Sequence, residues 1–379
     1  MKTFNLSSKI ILSLGAFFCF AIAANAQSHL TSPANIGLVY PLSSNGKNAA
    51  AYTNHFSLHI IAGVSKSETG AAIAGISNII KDSATGVQVA GFSNHIGSTW
   101  HSVQIAGFMN QVKKSADGAQ IAGFMNLDSS LNGPQVAGFA NIVKQDVTGT
   151  QVAGFMNTAK SNSQVQVSGF LNNAKTANVQ VVGFMNKADE VHSQVAGFIN
   201  IAKKVKGVQV AGFINIADSS EYPIGLINIV KGGEKQVSVS IDETATMIAA
   251  FKSGGRVLYG ILGAGYNVKN SGNSLYAMQA GIGAHFYLLS HFRLNLEATN
   301  MALTDFKVSY YNRQSLGIFP AYRFGRRVEL FAGPTLNFVH TKNDVGVDLR
   351  SHYMWSETVG DNKFHAAYIG AAGGLQVRL

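Results

Sequence analysis

Apolar and polar positions alternate with period two through most of the chain, and between residues 71 and 228 the alternation settles into one recurring phrase. Its clearest copy is Gln151-Val152-Ala153-Gly154-Phe155-Met156-Asn157. Close copies begin at Gln88, Gln104, Gln120, Gln135, Gln166, Gln180, Gln194 and Gln209, and worn ones span Ala72–Asn78 and Tyr222–Asn228. The central glycines, from Gly75 to Gly225, follow one another at 13 to 16 residues. A period this short, held over eleven copies, describes one small unit stacked on itself. A glycine at the centre of every copy disfavours a helix by about 1 kcal/mol each, so the unit is read as a strand. Read as one straight strand, Gln151, Ala153, Phe155 and Asn157 share a face, opposite Val152, Gly154 and Met156. The polar segments between copies, such as Lys187–Ser193, carry the length variation and are expected to hold the turns.

Two all-β architectures use such a unit. In a β-solenoid each 14–16-residue coil stacks on the next at one strand spacing, about 4.8 Å. Identical side chains then form ladders: Phe92, Phe108, Phe124, Phe139, Phe155, Phe170, Phe184, Phe198 and Phe213 in one, and Asn94, Asn110, Asn126, Asn141, Asn157, Asn172, Asn186, Asn200 and Asn215 in the other. Such ladders stabilise cross-β stacks. The alternative is one continuous antiparallel meander or barrel, with each repeat a membrane strand. The solenoid is favoured because the dependable core is seven residues rather than the 9–11 of a membrane strand. No tyrosine lies between Tyr52 and Tyr222 to form girdles, and only a parallel stack explains the same Gln and Asn in every copy.

The composition changes after Pro223. Tyrosine returns, and the segments lengthen into Arg256–Val268, Ser274–Leu289, His291–Asp305, Gln314–Phe324, Val328–Thr341 and His365–Leu379. The stretches 236–252 and 345–359 are expected to add about two strands. In His291–Thr299, Phe292, Leu294, Leu296 and Ala298 alternate with Arg293, Asn295, Glu297 and Thr299, the dyad pattern of an outer-membrane strand. About eight such strands close a small barrel. The organisation expected is therefore a leader over 1–26, N-terminal strands or a cap over 27–70, repeats over 71–230, and an outer-membrane-type antiparallel barrel over 231–379.

Residues 1–26 read as a secretory signal: Lys2 and Lys9, the apolar run Ile10–Ala23, and the small-residue site Ala24-Asn25-Ala26. Cys19 is the one cysteine; because it falls in the leader, a mature chain has no disulfide or thiolate site. The formal charge is +10, two of it from the leader lysines. For an exported protein this points either to anionic headgroups of outer-membrane lipid as partner, rather than nucleic acid, or to solubility alone, with any protein or glycan partner unspecified. The expected location is the outer membrane or cell surface of a Gram-negative bacterium.

The repeat Gly207-Val208-Gln209-Val210-Ala211-Gly212-Phe213-Ile214-Asn215, the entry Tyr52–Leu58, the exit Pro223–Asn228 and the stretch Phe331-Ala332-Gly333-Pro334 resemble an uncharacterised family of bacterial surface-repeat proteins. The resemblance covers nearly the whole chain after the leader. It implies an envelope location and no assigned activity.

Sites for chemistry are sparse. Gly91-Phe92-Ser93-Asn94 breaks off before the second glycine of a nucleophile elbow, and Gly281-Ile282-Gly283 lacks the third glycine of a dinucleotide loop. On a straight strand His55 and His59 share a face but lie roughly 13 Å apart. His95 and His101 flank Trp100, in what reads as a turn. Adjacent Asp242 and Glu243 are expected to face opposite ways, a poor acid/base pair. No cofactor and no metal is expected. The leading expectation is a non-enzymatic outer-membrane repeat protein with a structural or surface-interaction role. The alternatives are a pore whose wall is built by the repeats, and a lipid-modifying barrel enzyme drawing on Ser290, His291 or His365.

Overall fold

In the computed structural model the described residues are 30–269, 275–306, 310–342, 346–359 and 363–379; the leader expected over 1–26 lies outside them. The protein is a β-solenoid of about 12 turns and a closed 8-strand antiparallel barrel. The chain divides into two compact units, at Lys113 and Lys114, taken in turn.

In the first unit, Leu30–Val39 pairs in parallel with Tyr52–Ser65, from Leu30↔Tyr52 to Val39↔Ala62. The short segment Leu42–Ser43 folds back antiparallel onto its last residues. A 3-10 turn, Gly46–Ala51, follows and buries Ala49. This breaks the parallel register at the first coil, a device that blunts an exposed edge. The strands Ser67–Ala74, Ser77–Ala90 and Ser93–Ala106 then pair in parallel, with Asn78↔Asn94 and Gln88↔Gln104 in register.

In the second unit like residues again stack on like: Gln151↔Gln166, Asn157↔Asn172 and Gln180↔Gln194. The stack runs to its last strand, Ile227–Val230. Parallel pairing overturns the alternative of one antiparallel meander. It also corrects the straight-strand reading of the repeat. One strand ends at Ala153 and the next begins at Met156, with Gly154 and Phe155 forming a corner between them. The corner resets the alternation, so Gln151, Ala153 and Asn157 point inward while Val152 and Phe155 point out. Several of the variable segments are strand rather than turn, whereas 133–134, 144–146, 206–207 and 220–221 do break the strands as expected. Met156–Ser168 runs through one of them, and a register shift between Ala159 and Asn162 absorbs the extra residue.

The barrel strands are Lys235–Asp242, Thr246–Gly254, Leu258–Asn267, Leu275–Tyr287, Phe292–Thr304, Tyr310–Phe324, Val328–Lys342 and Lys363–Arg378. Each pairs antiparallel with the next, and the last closes on the first, as in Val237↔Val377. The stretch 236–252 thus falls within a hairpin of two strands. The stretch 345–359 adds no wall strand; its short segment Trp355–Val359 pairs only with Lys363–Ala367.

Candidate functional site

The interior of each coil is a column of amides. In the first unit Asn78 Nδ2 donates to Asn94 Oδ1 and Asn94 Nδ2 to Asn110 Oδ1, both at 2.9 Å. In the second unit the column runs Asn126, Asn141, Asn157, Asn172, Asn186, Asn200, Asn215 and Asn228, with links of 2.8–3.1 Å. Each amide nitrogen has a second proton to place. That of Asn157 goes to the backbone carbonyl of Val167 in the next coil, at 2.8 Å. A parallel glutamine column includes Gln166 Nε2 to Gln151 Oε1 at 3.0 Å and Gln180 Nε2 to Gln166 Oε1 at 2.8 Å. All these asparagines and glutamines are fully buried. Burial of an amide is tolerated only when its hydrogen bonds are made, and stacking like on like makes them.

Alanine fills many of the remaining inward positions, such as Ala153, Ala159 and Ala174, and valine, isoleucine or leucine fill others, such as Val143, Ile96 and Leu131. The corner glycine has its own cause. A Cβ on Gly154 would stand 2.1 Å from the carbonyl oxygen of Gly138 one coil away, and Gly169, Gly183 and Gly197 meet their neighbours in the same way.

The phenylalanines do not join the core. Phe92 and Phe108 stack at 4.8 Å in the first unit. In the second, Phe124 through Phe213 form one stack with centroids 4.8–5.3 Å apart and ring planes within 15°. Each ring is covered on its faces by its neighbours, yet Phe155 is 37% exposed along its edge. The outward valines, among them Val136, Val152 and Val195, flank the rings and are similarly exposed.

Two carboxylates interrupt the amide columns. Glu68 accepts hydrogen bonds from Asn54 Nδ2 (3.0 Å) and Ser57 Oγ (2.7 Å) in the first coils, while its Oε2 is buried with no partner. Burial outweighs the hydrogen bonds and raises its pKa above the ordinary 4.5. Asp128 stands where other coils carry valine or alanine, as in Val143 and Ala159, and accepts from Gln120 Nε2 at 3.1 Å and from Gln135 Nε2. Nearby in the first coils, His59 is buried while His55 faces outward. The two do not share a face as expected, because the register shifts between Asn54 and Phe56. His95 lies within the strand Ser93–Ala106 rather than in a turn, bonded to Ser93 and Gln111 at 3.0 Å each.

The barrel interior is charged and full. Arg293 bridges Glu234 and Glu329, and Glu329 also takes Arg323 Nε and Gln376 Nε2 at 2.8 Å each. Lys252 and the Tyr259 hydroxyl meet at Glu297. Arg313 binds Asp242 and lies 3.6 Å from Glu243. These two acids therefore converge on one guanidinium instead of diverging, because the strand ends at Asp242 and the chain turns there. Phe319, Phe331, Met301 and Tyr368 fill the space between. The lumen cavity lined by Asp242, Lys252, Glu297 and Arg313 holds about 50 Å³, room for a few waters.

The outer wall has the opposite character. On Leu275–Tyr287 the outward residues are Tyr276, Met278, Ala280, Ile282, Ala284 and Phe286. Its neighbours present Leu296, Leu316, Ile318, Tyr322, Leu336 and Ile369.

Ser290 and His291 are bonded to each other at 2.9 Å in an exposed connection. His365 pairs instead with His340, at 3.1 Å, near the other end of the barrel. The three residues are not brought together. Among the described residues no three His, Cys, Asp or Glu side chains gather as a metal site. Sequence reasoning missed the lumen clusters, whose members come from seven different strands; the inward positions Arg293, Asn295 and Glu297 were their one local signal. No family model, no curated protein and no solved structure matches this chain.

Proposed function

We propose that the protein is a non-enzymatic outer-membrane protein, anchored by the barrel, whose repeat stack has a structural or surface-contact role in the envelope. The observation that carries this reading is the polarity of the barrel: ion clusters inside, apolar residues outside. A barrel surrounded by water is expected to have the reverse arrangement. Between Tyr276 and Phe286 the outward face is apolar with an aromatic at each end. Ten residues at about 3.4 Å, tilted by about 40°, span roughly 25 Å, the height of the apolar band of an outer-membrane barrel. The filled lumen weighs against a pore. The repeats, whose Gln and Asn are buried in coils, line no channel.

The connections support an orientation. Gly254 to Leu258, Tyr287 to Phe292 and Phe324 to Val328 are short turns, at the end where the chain terminates and the solenoid enters. The opposite end carries the long connection from Lys342 to Lys363. Short turns in such barrels face the periplasm, so the repeats are assigned to the periplasmic side.

The test is fractionation followed by carbonate extraction and protease digestion. Recovery in the extracted outer membrane is expected, with the lysine-rich segment 187–206 cleaved only after the membrane is permeabilised. Recovery in a soluble periplasmic fraction overturns the anchor, and cleavage in intact cells overturns the orientation.

A further inference from the structure

The second unit's stack carries an apolar strip that nothing among the described residues covers. In each coil an outward valine, the corner phenylalanine and the residue after it lie side by side, as in Val152, Phe155 and Met156. The seven stacked rings from Phe124 to Phe213 make the strip roughly 30 Å long at one strand spacing per coil. With its flanking rows it covers on the order of 400 Å², the size of patch that marks an interaction surface.

One edge of this strip is basic. The residue four positions beyond Met156 is Lys160, and the registered positions in neighbouring coils are Lys144 and Lys175; further along the same row alternates Asp189, Lys203, Asp218 and Lys231, so its uninterrupted positive run is Lys144, Lys160 and Lys175. Lys203 pairs with Asp189 at 2.9 Å. Among the described residues, Lys144, Lys160 and Lys175 have no ion-pair partner. An apolar band with lysines along its margin suits an interface where apolar groups sink in and ammonium groups stay at the level of anionic headgroups.

The strip also runs into the barrel wall. In the last coil Leu226 takes the place of the phenylalanine, and it shares an apolar hollow with Ile282, Ala298, Leu316 and Phe338 on the barrel's outer face. The carbonyls of Gly225 and Leu226 press so closely on Gly260 that a Cβ there would lie 2.1 Å from the first. The phenylalanine ladder therefore starts from the surface that the proposed function assigns to lipid. Arg256, Arg326 and Arg327 are exposed in the short turns at the solenoid end, adding positive charge where headgroups of that leaflet would lie.

We infer that the phenylalanine strip is a membrane-contact face: from the barrel outward the repeat stack lies along the bilayer surface, rings toward the acyl chains and lysines on anionic headgroups. This rests on the barrel being membrane-embedded, and the experiment separates the two. The full chain, with both native tryptophans replaced (Trp100→Phe, Trp355→Phe), is reconstituted in phosphatidylethanolamine–phosphatidylglycerol vesicles containing brominated acyl chains. Reporters are Phe170→Trp and, as a second reading in another coil, Phe198→Trp; Leu316→Trp reports on the barrel wall. Blue-shifted emission and loss of most of the intensity are expected from the ladder reporters as well as from Leu316→Trp. In vesicles of phosphatidylcholine alone the loss at the ladder should shrink while that at Leu316→Trp stays. Quenching of Leu316→Trp without quenching of either ladder reporter overturns the inference and leaves the anchor standing. If the ladder reporters are then also shielded from aqueous acrylamide, a protein or a second copy occupies the strip instead. Absence of quenching at all three positions overturns the anchor itself, and with it this inference. Equal ladder quenching in both lipid mixtures overturns the role of the lysines.

Discussion

Asn228 ends the asparagine column by turning onto Ser253 of the barrel: its backbone N–H donates to the Ser253 hydroxyl at 2.9 Å and its Nδ2 to the Ser253 carbonyl at 3.1 Å. From the other side Asn228 Oδ1 accepts from Asn215 at 2.8 Å. The last rung of the stack is thus satisfied by a barrel strand rather than by water, so the two folds meet through a buried polar joint. Asn228→Ala leaves the Asn215 amide and the Ser253 carbonyl short of partners. It should cost about 3 kcal/mol, at 1–3 kcal/mol per stranded group. Hydrogen exchange should show the loss on both sides, in Ile227–Val230 and in Thr246–Gly254; loss confined to one side would count against the joint.

Within the column, Asn157→Asp removes the donors to Asn172 Oδ1 and Val167 O and places a charge among fully buried amides. A buried group that loses its partners costs about 1–3 kcal/mol, and a charge costs more. Urea unfolding should show a drop of at least about 3 kcal/mol. A shift within error would contradict the amide column.

The corner predicts a contrast between neighbours. Phe155 loses only its stacking faces on truncation, so Phe155→Ala should cost about 1–2 kcal/mol, below the 3–5 kcal/mol of a fully buried phenylalanine. Gly154→Ala, smaller in chemistry, drives a methyl to 2.1 Å from the Gly138 oxygen and should cost about 3 kcal/mol through forced backbone movement. Thermal melts should therefore show the larger loss of Tm for Gly154→Ala and the smaller for Phe155→Ala, and the reverse order would refute the corner geometry.

Glu68 gives the stack a pH dependence of predictable sign. Its folded pKa lies above the ordinary 4.5, chiefly because burial disfavours the charged form. Below the ordinary value it is protonated in both states and carries no penalty. As pH rises from there through the raised folded value, the folded state must give up a proton it holds more tightly, so stability falls. Glu68→Gln should remove that slope and raise stability at pH 7, as read by urea midpoints across pH 4–8. An unchanged slope would mean that Glu68 is not its source.

Deleting one whole coil, Gln166–Val179, joins Val165 to Gln180. Val165 is registered with Val179 and Gln166 with Gln180, so the junction puts like residues where like residues stood. Each coil touches only its neighbours, and the shortened chain should fold with stability lower by one coil's share. Circular dichroism and membrane assembly check this; an unfolded product would show that coil number is constrained from elsewhere.

Much of this was legible in the chain. The recurrence of Gln, Ala, Gly, Phe and Asn at near-constant spacing determined a stacked unit, because only parallel stacking brings identical amides within reach of each other. The alternation from Phe292 to Thr299 determined which side of that barrel strand carries charge, because neighbouring strand residues must face opposite ways. What the sequence could not settle lies where alternation is reset or where distant segments meet. The corner at Gly154 and Phe155 moved the rings from the core to the edge, since a period-two reading assumes a straight strand. The register shift after Asn54 separated His55 from His59 for the same reason. The meeting of Asp242 and Glu243 at Arg313, some 70 residues away, was decided by barrel closure. So was the joint between Asn228 and Ser253: contacts across such distances depend on how whole elements pack, and no local pattern encodes them.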